Sequence, residues 1–217
     1  MTPGISPPFA AGKLGGRKHA ELDILVEDAV AADIVRYALT LGLRNRTEVR
    51  PVGSVQAVLG CMVTARKVPS GKEICVLLDG DHRSKQAELS KKFLDLLESC
   101  DDRDQALTWF KDHLAFLPSD RAPETWLLEQ IDETAIEEIA NRYNLPADHL
   151  AEHISDALAA GCHREFWTLA DKLCIDEDAL RVQVTHAALE ANPKQVSAIQ
   201  GFVEGLLTET GAAAAAS

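Results

Sequence analysis

No apolar run in the 217 residues approaches the roughly 18 that a membrane-spanning helix needs, and the N-terminus lacks the apolar centre of a signal peptide. The chain therefore reads as cytoplasmic, with no membrane partner. No CxxC spacing occurs among Cys61, Cys75, Cys100, Cys162 and Cys174, and their number is odd. That excludes a regular disulfide framework and reads as reduced thiols, mostly filling core. No GxxxxGK[ST] stretch occurs, so a P-loop is excluded. Basic residues are scarce in the second half. Met1 to Arg121 carries 17 basic and 17 acidic residues, whereas Ala122 to Ser217 carries 5 and 17, which accounts for the whole net charge of −12. Such a surface is a poor match for phosphates, which need clustered Lys and Arg. The abrupt shift also marks a domain boundary near residues 121–133.

What is present alternates. A short apolar run at about 21–27 is followed by a helical stripe (Val30, Ile34, Val35, Ala38, Leu39), and Val49 to Val52 leads through Gly53-Ser54 into a helix to about Arg66. Ile74 to Leu78 is a third strand, after a turn at Pro69, Ser70 and Gly71. A helix from about Ser84 to Leu97 follows it, then another near Gln105 to His113 and a short strand around Ala115 to Leu117. The order β-α-β-α-β-α predicts an α/β fold, a parallel sheet flanked by helices. From Pro123 onward only helical patterns occur, with Asp132, Pro146, Asp176 and Asn192-Pro193 as helix starts. The expected organisation is a linker or tail over 1–19, an α/β domain over 20–131, a small all-α domain over 132–210 and an alanine-rich disordered tail over 211–217.

The apolar runs end on acids. ILV at Ile24 to Val26 leads into Glu27 and Asp28, and VLL at Val76 to Leu78 leads into Asp79 and Asp81. Ligands of parallel sheets bind beyond the carboxyl ends of the strands. Clustered carboxylates repel unless a cation lies among them, and hard divalent cations select oxygen ligands. The pattern predicts a Mg2+ or Mn2+ site, with one ion or two. Asp28 reads equally as a helix N-cap, Asp33 as a solvated helix face, and His163 as a cap or surface contact. Two carboxylates at a buried strand end, Asp79 and Asp81, have no comparable structural explanation.

The order of these acids, followed by FLPSDRAPETWLLEQI at Phe116 to Ile131 and a helical tail, resembles the TOPRIM domain of topoisomerases, primases and some nucleases. The LPxxxxPE element makes it similar to the C-terminal half of OLD-family (overcoming lysogenization defect) nucleases over roughly residues 20 to 208. The resemblance implies a TOPRIM-like sheet and a metal-dependent endonuclease hydrolysing DNA without sequence preference. Glu27 would be a ligand or the base for the attacking water, Asp79 and Asp81 the metal ligands, and Glu124 the acid completing a second metal position. It also implies a catalytic lysine in the tail, Lys194 or else Lys172, and a larger protein with an N-terminal ATPase domain and a possible homodimer. TOPRIM domains often carry a second acid four residues after the glutamate; here that position is Ala31, so either Asp28 substitutes for it or the second metal has fewer protein ligands. Arg83 and Lys85, just after the DxD, are the candidate nucleic-acid contacts.

Two other readings compete. ILVED with VLLDGD also resembles a response-regulator receiver phosphorylated on Asp79, but no Lys-Pro follows on a later strand and the APE element has no place there. A non-catalytic TOPRIM module serving assembly is the other, favoured by Ala31 and opposed by the four retained acids.

Overall fold

The computed structural model describes residues 20–68, 72–98, 102–161 and 163–215, with side chains through Thr208. The expected 1–19 tail, the turn at Pro69, Ser70 and Gly71, and Cys100 and Cys162 lie outside the described residues.

The protein is mixed α/β, built on a four-stranded parallel sheet in the order β2-β1-β3-β4. The strands are β1 (Leu22–Val26), β2 (Thr47–Pro51), β3 (Glu73–Leu78) and β4 (Leu114–Phe116). β1 is paired on both sides, with Ile24 opposite Val49 in β2 and Cys75 in β3. It is buried along its whole length, which is why it reads as a continuous apolar run and not as an alternation. The helices in the first half are α1 (Ala29–Ala38), α2 (Leu41–Arg44), α3 (Val55–Lys67), α4 (Gln86–Leu97) and α5 (Arg103–Asp112), with a 3-10 helix at Gly80–Lys85. The helical half contains α6 (Pro123–Gln130), α7 (Glu133–Arg142), α8 (Ala147–Ala160), α9 (Glu165–Leu173), α10 (Glu177–Ala191) and α11 (Pro193–Ala215). α11 thus carries its backbone into the alanine run that the composition marks as tail.

Helix starts follow local chemistry. Asp28, Thr40, Ser54, Asp102, Asp132 and Asp176 each accept a hydrogen bond from the backbone N–H three residues on, satisfying a donor that the first helical turn leaves unpaired. Pro123 opens α6 from its first turn, where a missing N–H costs nothing.

The two faces of the sheet are covered differently. Leu25, Val76 and Leu78 pack against Val58, Leu59 and Met62 of α3, Phe93 of α4 and Phe110 of α5. Leu22, Ile24, Val26, Cys75 and Leu77 belong to a second core that continues through α1 into the helical half, as far as Leu207. The boundary expected at residue 131 or 132 therefore falls inside one continuous core. Polar links cross it as well. Arg181 of α10 pairs with Asp33 of α1 at 2.9 Å, and Gln200 of α11 donates to the carbonyl of Ala38 at 2.6 Å.

Two expectations are corrected here. Asp33 is not a solvated position, because α10 covers that side of α1 and delivers Arg181 to its carboxylate. Of the three cysteines described, only Cys75 fills core; Cys61 and Cys174 are exposed.

Candidate functional site

The acids at the carboxyl end of the sheet lie on four segments. Glu27 and Asp28 follow β1, Asp79 follows β3, Asp81 lies in the 3-10 helix, and Glu124 occupies the first turn of α6. Glu27 ties the ends of β1 and β3 together, since its Oε1 accepts the backbone N–H of Asp79 at 3.2 Å. The same oxygen lies 3.3 Å from His82 Nε2, and Asp81 Oδ1 is 3.8 Å from that nitrogen. Glu124 is 5% exposed and its Oε2 lies 3.3 Å from His163 Nδ1.

Asp79 is the electrostatic centre. It is 6% exposed and its Oδ1 is buried with no hydrogen-bond partner. Burial first, then the charges of Glu27, Asp28, Glu124 and Asp81, push its carboxyl up to about 8. Glu124 is also raised, chiefly by burial and with Asp28 adding to it, against the opposing influence of its own backbone and of His163. For His163 burial works downward, yet the charge and hydrogen bond of Glu124 prevail and raise it. The other end of the sheet shows the contrast. There the buried Asp23 is ion-paired with Arg50 at 2.9 Å and with Lys72. Asp23 at the amino end has cations, whereas Asp79 at the carboxyl end has other carboxylates around it.

The local chain geometry keeps the DxD in place. Gly80 is buried, and a Cβ there would stand 2.0 Å from the carbonyl oxygen of Ser119 and 3.0 Å from that of Leu117. Only glycine allows the β4–α6 loop to lie this close to the turn between Asp79 and Asp81. Arg83 fastens the same loop, donating to the carbonyls of Leu117 at 2.8 Å and Ser119 at 3.4 Å. Beside it runs a cleft of about 500 Å³ lined by Leu77, Arg83, Phe116, Pro118, Gln195 and Phe202.

Asp28 is the N-cap of α1. Its Oδ1 accepts the N–H of Ala31 at 2.9 Å as the cap of α1, and its charge still bears on Asp79 and Glu124. Ala31, where a second acid would stand, is fully buried. Arg83 donates to backbone carbonyls and lies 3.4 Å from Asp120, while Lys85 is exposed. Lys194 is exposed in the first turn of α11, and the contacts that gather the acids do not include it. Lys172 pairs with Asp156 at 2.6 Å, bridging α9 to α8.

Three residues belong to the site without having been singled out as such. His82 directly follows the DxD, and that adjacency is the signal for it. His163 takes a left-handed backbone conformation, φ 58°, which directs its ring to Glu124; nothing in the pattern marks this. Glu165 is 1% exposed, accepts from Thr125 Oγ1 at 2.8 Å and leaves Oε2 buried and unpartnered. Its place one turn before Leu169 and two before Leu173, on a buried stripe, is the sign that this acid points inward.

The donor set suits a hard divalent cation: carboxylate oxygens dominate, and Asp79 Oδ1 is an orphan that a cation would satisfy. The side chains are neighbours without being a finished cage, for among the described residues no group of three or more His, Cys, Asp or Glu stands ready to hold a metal ion. No helix among the described residues is long and apolar enough to cross a membrane. The chain matches no family model, no curated protein and no solved structure.

Proposed function

We propose that the protein is a Mg2+- or Mn2+-dependent endonuclease acting on DNA phosphodiester bonds, with its chemistry at the carboxyl edge of the sheet. The observation that carries the reading is Asp79, a buried carboxylate surrounded by four others, with one oxygen that no protein group satisfies. A folded chain keeps so costly an arrangement where a cation completes it. The TOPRIM and OLD-family resemblance supports the same assignment through the order of Glu27, Asp79, Asp81 and Glu124.

Asp79, Asp81 and Glu27 would hold the cation, with Glu124 at a second position. When bound, the metal supplies Lewis-acid polarisation of the phosphate and lowers the pKa of water. The protein's own share is positional. Glu27 is aimed by the Asp79 N–H, His82 stands between Glu27 and Asp81, and His163 holds the Glu124 carboxylate through Nδ1. With a net charge of −12 and Arg83 engaged in the loop, DNA binding is weak, salt-sensitive and without sequence preference.

Ala31, at the position where a second acid would stand, favours a second reading, a non-catalytic TOPRIM-like assembly module. Supercoiled plasmid incubated with Mg2+, Mn2+, Ca2+ or EDTA, beside Asp79→Ala, separates the two. Metal-dependent nicking that disappears in the variant is the expected result. Equal nicking by both proteins, or no Mn2+ binding by the wild type in calorimetry, refutes the nuclease.

A further inference from the structure

α8 presents two histidines one turn apart on one side, His149 exposed and His153 half-buried. Their Nε2 atoms are 3.1 Å apart and their ring centroids 4.4 Å. Facing nitrogens at this distance share a single proton, one ring donating and the other accepting. The remaining nitrogen of His153, Nδ1, is buried without a hydrogen-bond partner, and its nearest acid is Asp156, Oδ2 at 3.9 Å. Lys172 of α9 donates to that same oxygen at 2.6 Å.

Imidazoles at i and i+4 on one helix face can share a metal ion. Nitrogen ligands bound at about 2.0–2.1 Å around one ion stand about 3 Å apart, so the 3.1 Å between these nitrogens accommodates a metal in place of the shared proton after only a small movement. A carboxylate beside the non-ligating ring nitrogen is the usual outer partner, fixing which nitrogen is left bare. We infer that His149 and His153 form a two-imidazole site for a borderline transition-metal ion of the Cu2+, Ni2+ or Zn2+ class. Asp156 is the outer partner of His153, and Lys172 restrains it. Because the described residues provide no third protein ligand there, water completes the shell. Mg2+ prefers oxygen, so the site is separate in metal class as well as in place from the acid cluster. It stands independently of the nuclease reading.

Titrating the full chain with Ni2+ in excess Mg2+, by calorimetry, tests the site, with Cu2+ paramagnetic resonance counting the nitrogens. One Ni2+ site is expected, unaffected by Asp79→Asn. It weakens by at least about tenfold in His149→Ala, since the second imidazole binds at the high effective concentration that the helix imposes. His149 is exposed, so this variant keeps its fold, which circular dichroism verifies. The Cu2+ signal should show two nitrogens in the wild type and one in His149→Ala. Lys172→Ala, which releases Asp156, should tighten binding. No Ni2+ binding by the wild type, or equal binding by the His149→Ala/His153→Ala double variant, overturns the site; unchanged affinity in Lys172→Ala overturns the role of Asp156.

Discussion

Replacing Asp79 by Asn removes a charge while keeping the shape, and the structure fixes how the effect depends on pH. In the folded chain without a cation the carboxyl holds its proton up to about 8, against an ordinary value of 3.8. Between those values the folded state carries a proton that the unfolded state has released. Stability therefore falls as pH rises, by up to about 1.4 kcal/mol per pH unit, and levels off above the folded value. The full interval bounds the penalty at about 6 kcal/mol, and relaxation with water entry reduces what a variant reads to about 2–4 kcal/mol. Urea unfolding of the wild type and Asp79→Asn in EDTA should show an advantage for the variant that is small at about pH 5, just above the ordinary carboxylate value, and grows to its full size at about pH 9. Saturating Mg2+ should then stabilise the wild type alone, because only the carboxylate offers a charged ligand. A stability difference that stays constant across this pH range, or one that reverses sign, refutes the account of a charge held in place without a partner.

Three further outcomes follow from the contacts. Gly80→Ala places a methyl 2.0 Å from the Ser119 carbonyl oxygen, so calorimetry should show a loss of about 2–3 kcal/mol together with weakened Mn2+ binding. Arg181→Ala leaves the buried Asp33 with only the more exposed Arg36, and urea unfolding should register a loss of about 3 kcal/mol. Arg83→Ala strips two loop carbonyls of their donor; melting should fall by the equivalent of about 1–3 kcal/mol, while the salt dependence of DNA binding, measured by anisotropy, stays as in the wild type.

The sheet is legible because its strands are short, apolar and ended by turn residues and acids, and because the helix caps are the residues that capping chemistry prefers. Val49 to Val52 gives only part of β2. Its partly polar text, TEVRP, reflects a strand with a neighbour on one side only. The acids are legible in the same way, since Asp79 and Asp81 follow an apolar run that leaves no cheap use for a carboxylate. Contacts made over long chain separations leave no local trace. His163 meets Glu124 across 39 residues and Arg181 meets Asp33 across 148. Periodicity places each partner on a face, but the packing of α9 and α10 decides what that face meets. The charge step near residue 121 records what the surface carries, whereas one buried cluster runs beneath it through both halves.

That shared core makes the molecule one cooperative unit in mechanical and thermal terms. The helical half packs on α1 and shares its core, and the carboxyl edge borrows Glu124, His163 and Glu165 from it. Local opening of α6 or α9 would carry a carboxylate or an imidazole away from Asp79 and admit water to the face of β1. The edge is thus intact or dismantled as a whole, and whatever fastens the outer helices to one another, from the Lys172–Asp156 pair to the cap of α10, also holds the acids in register.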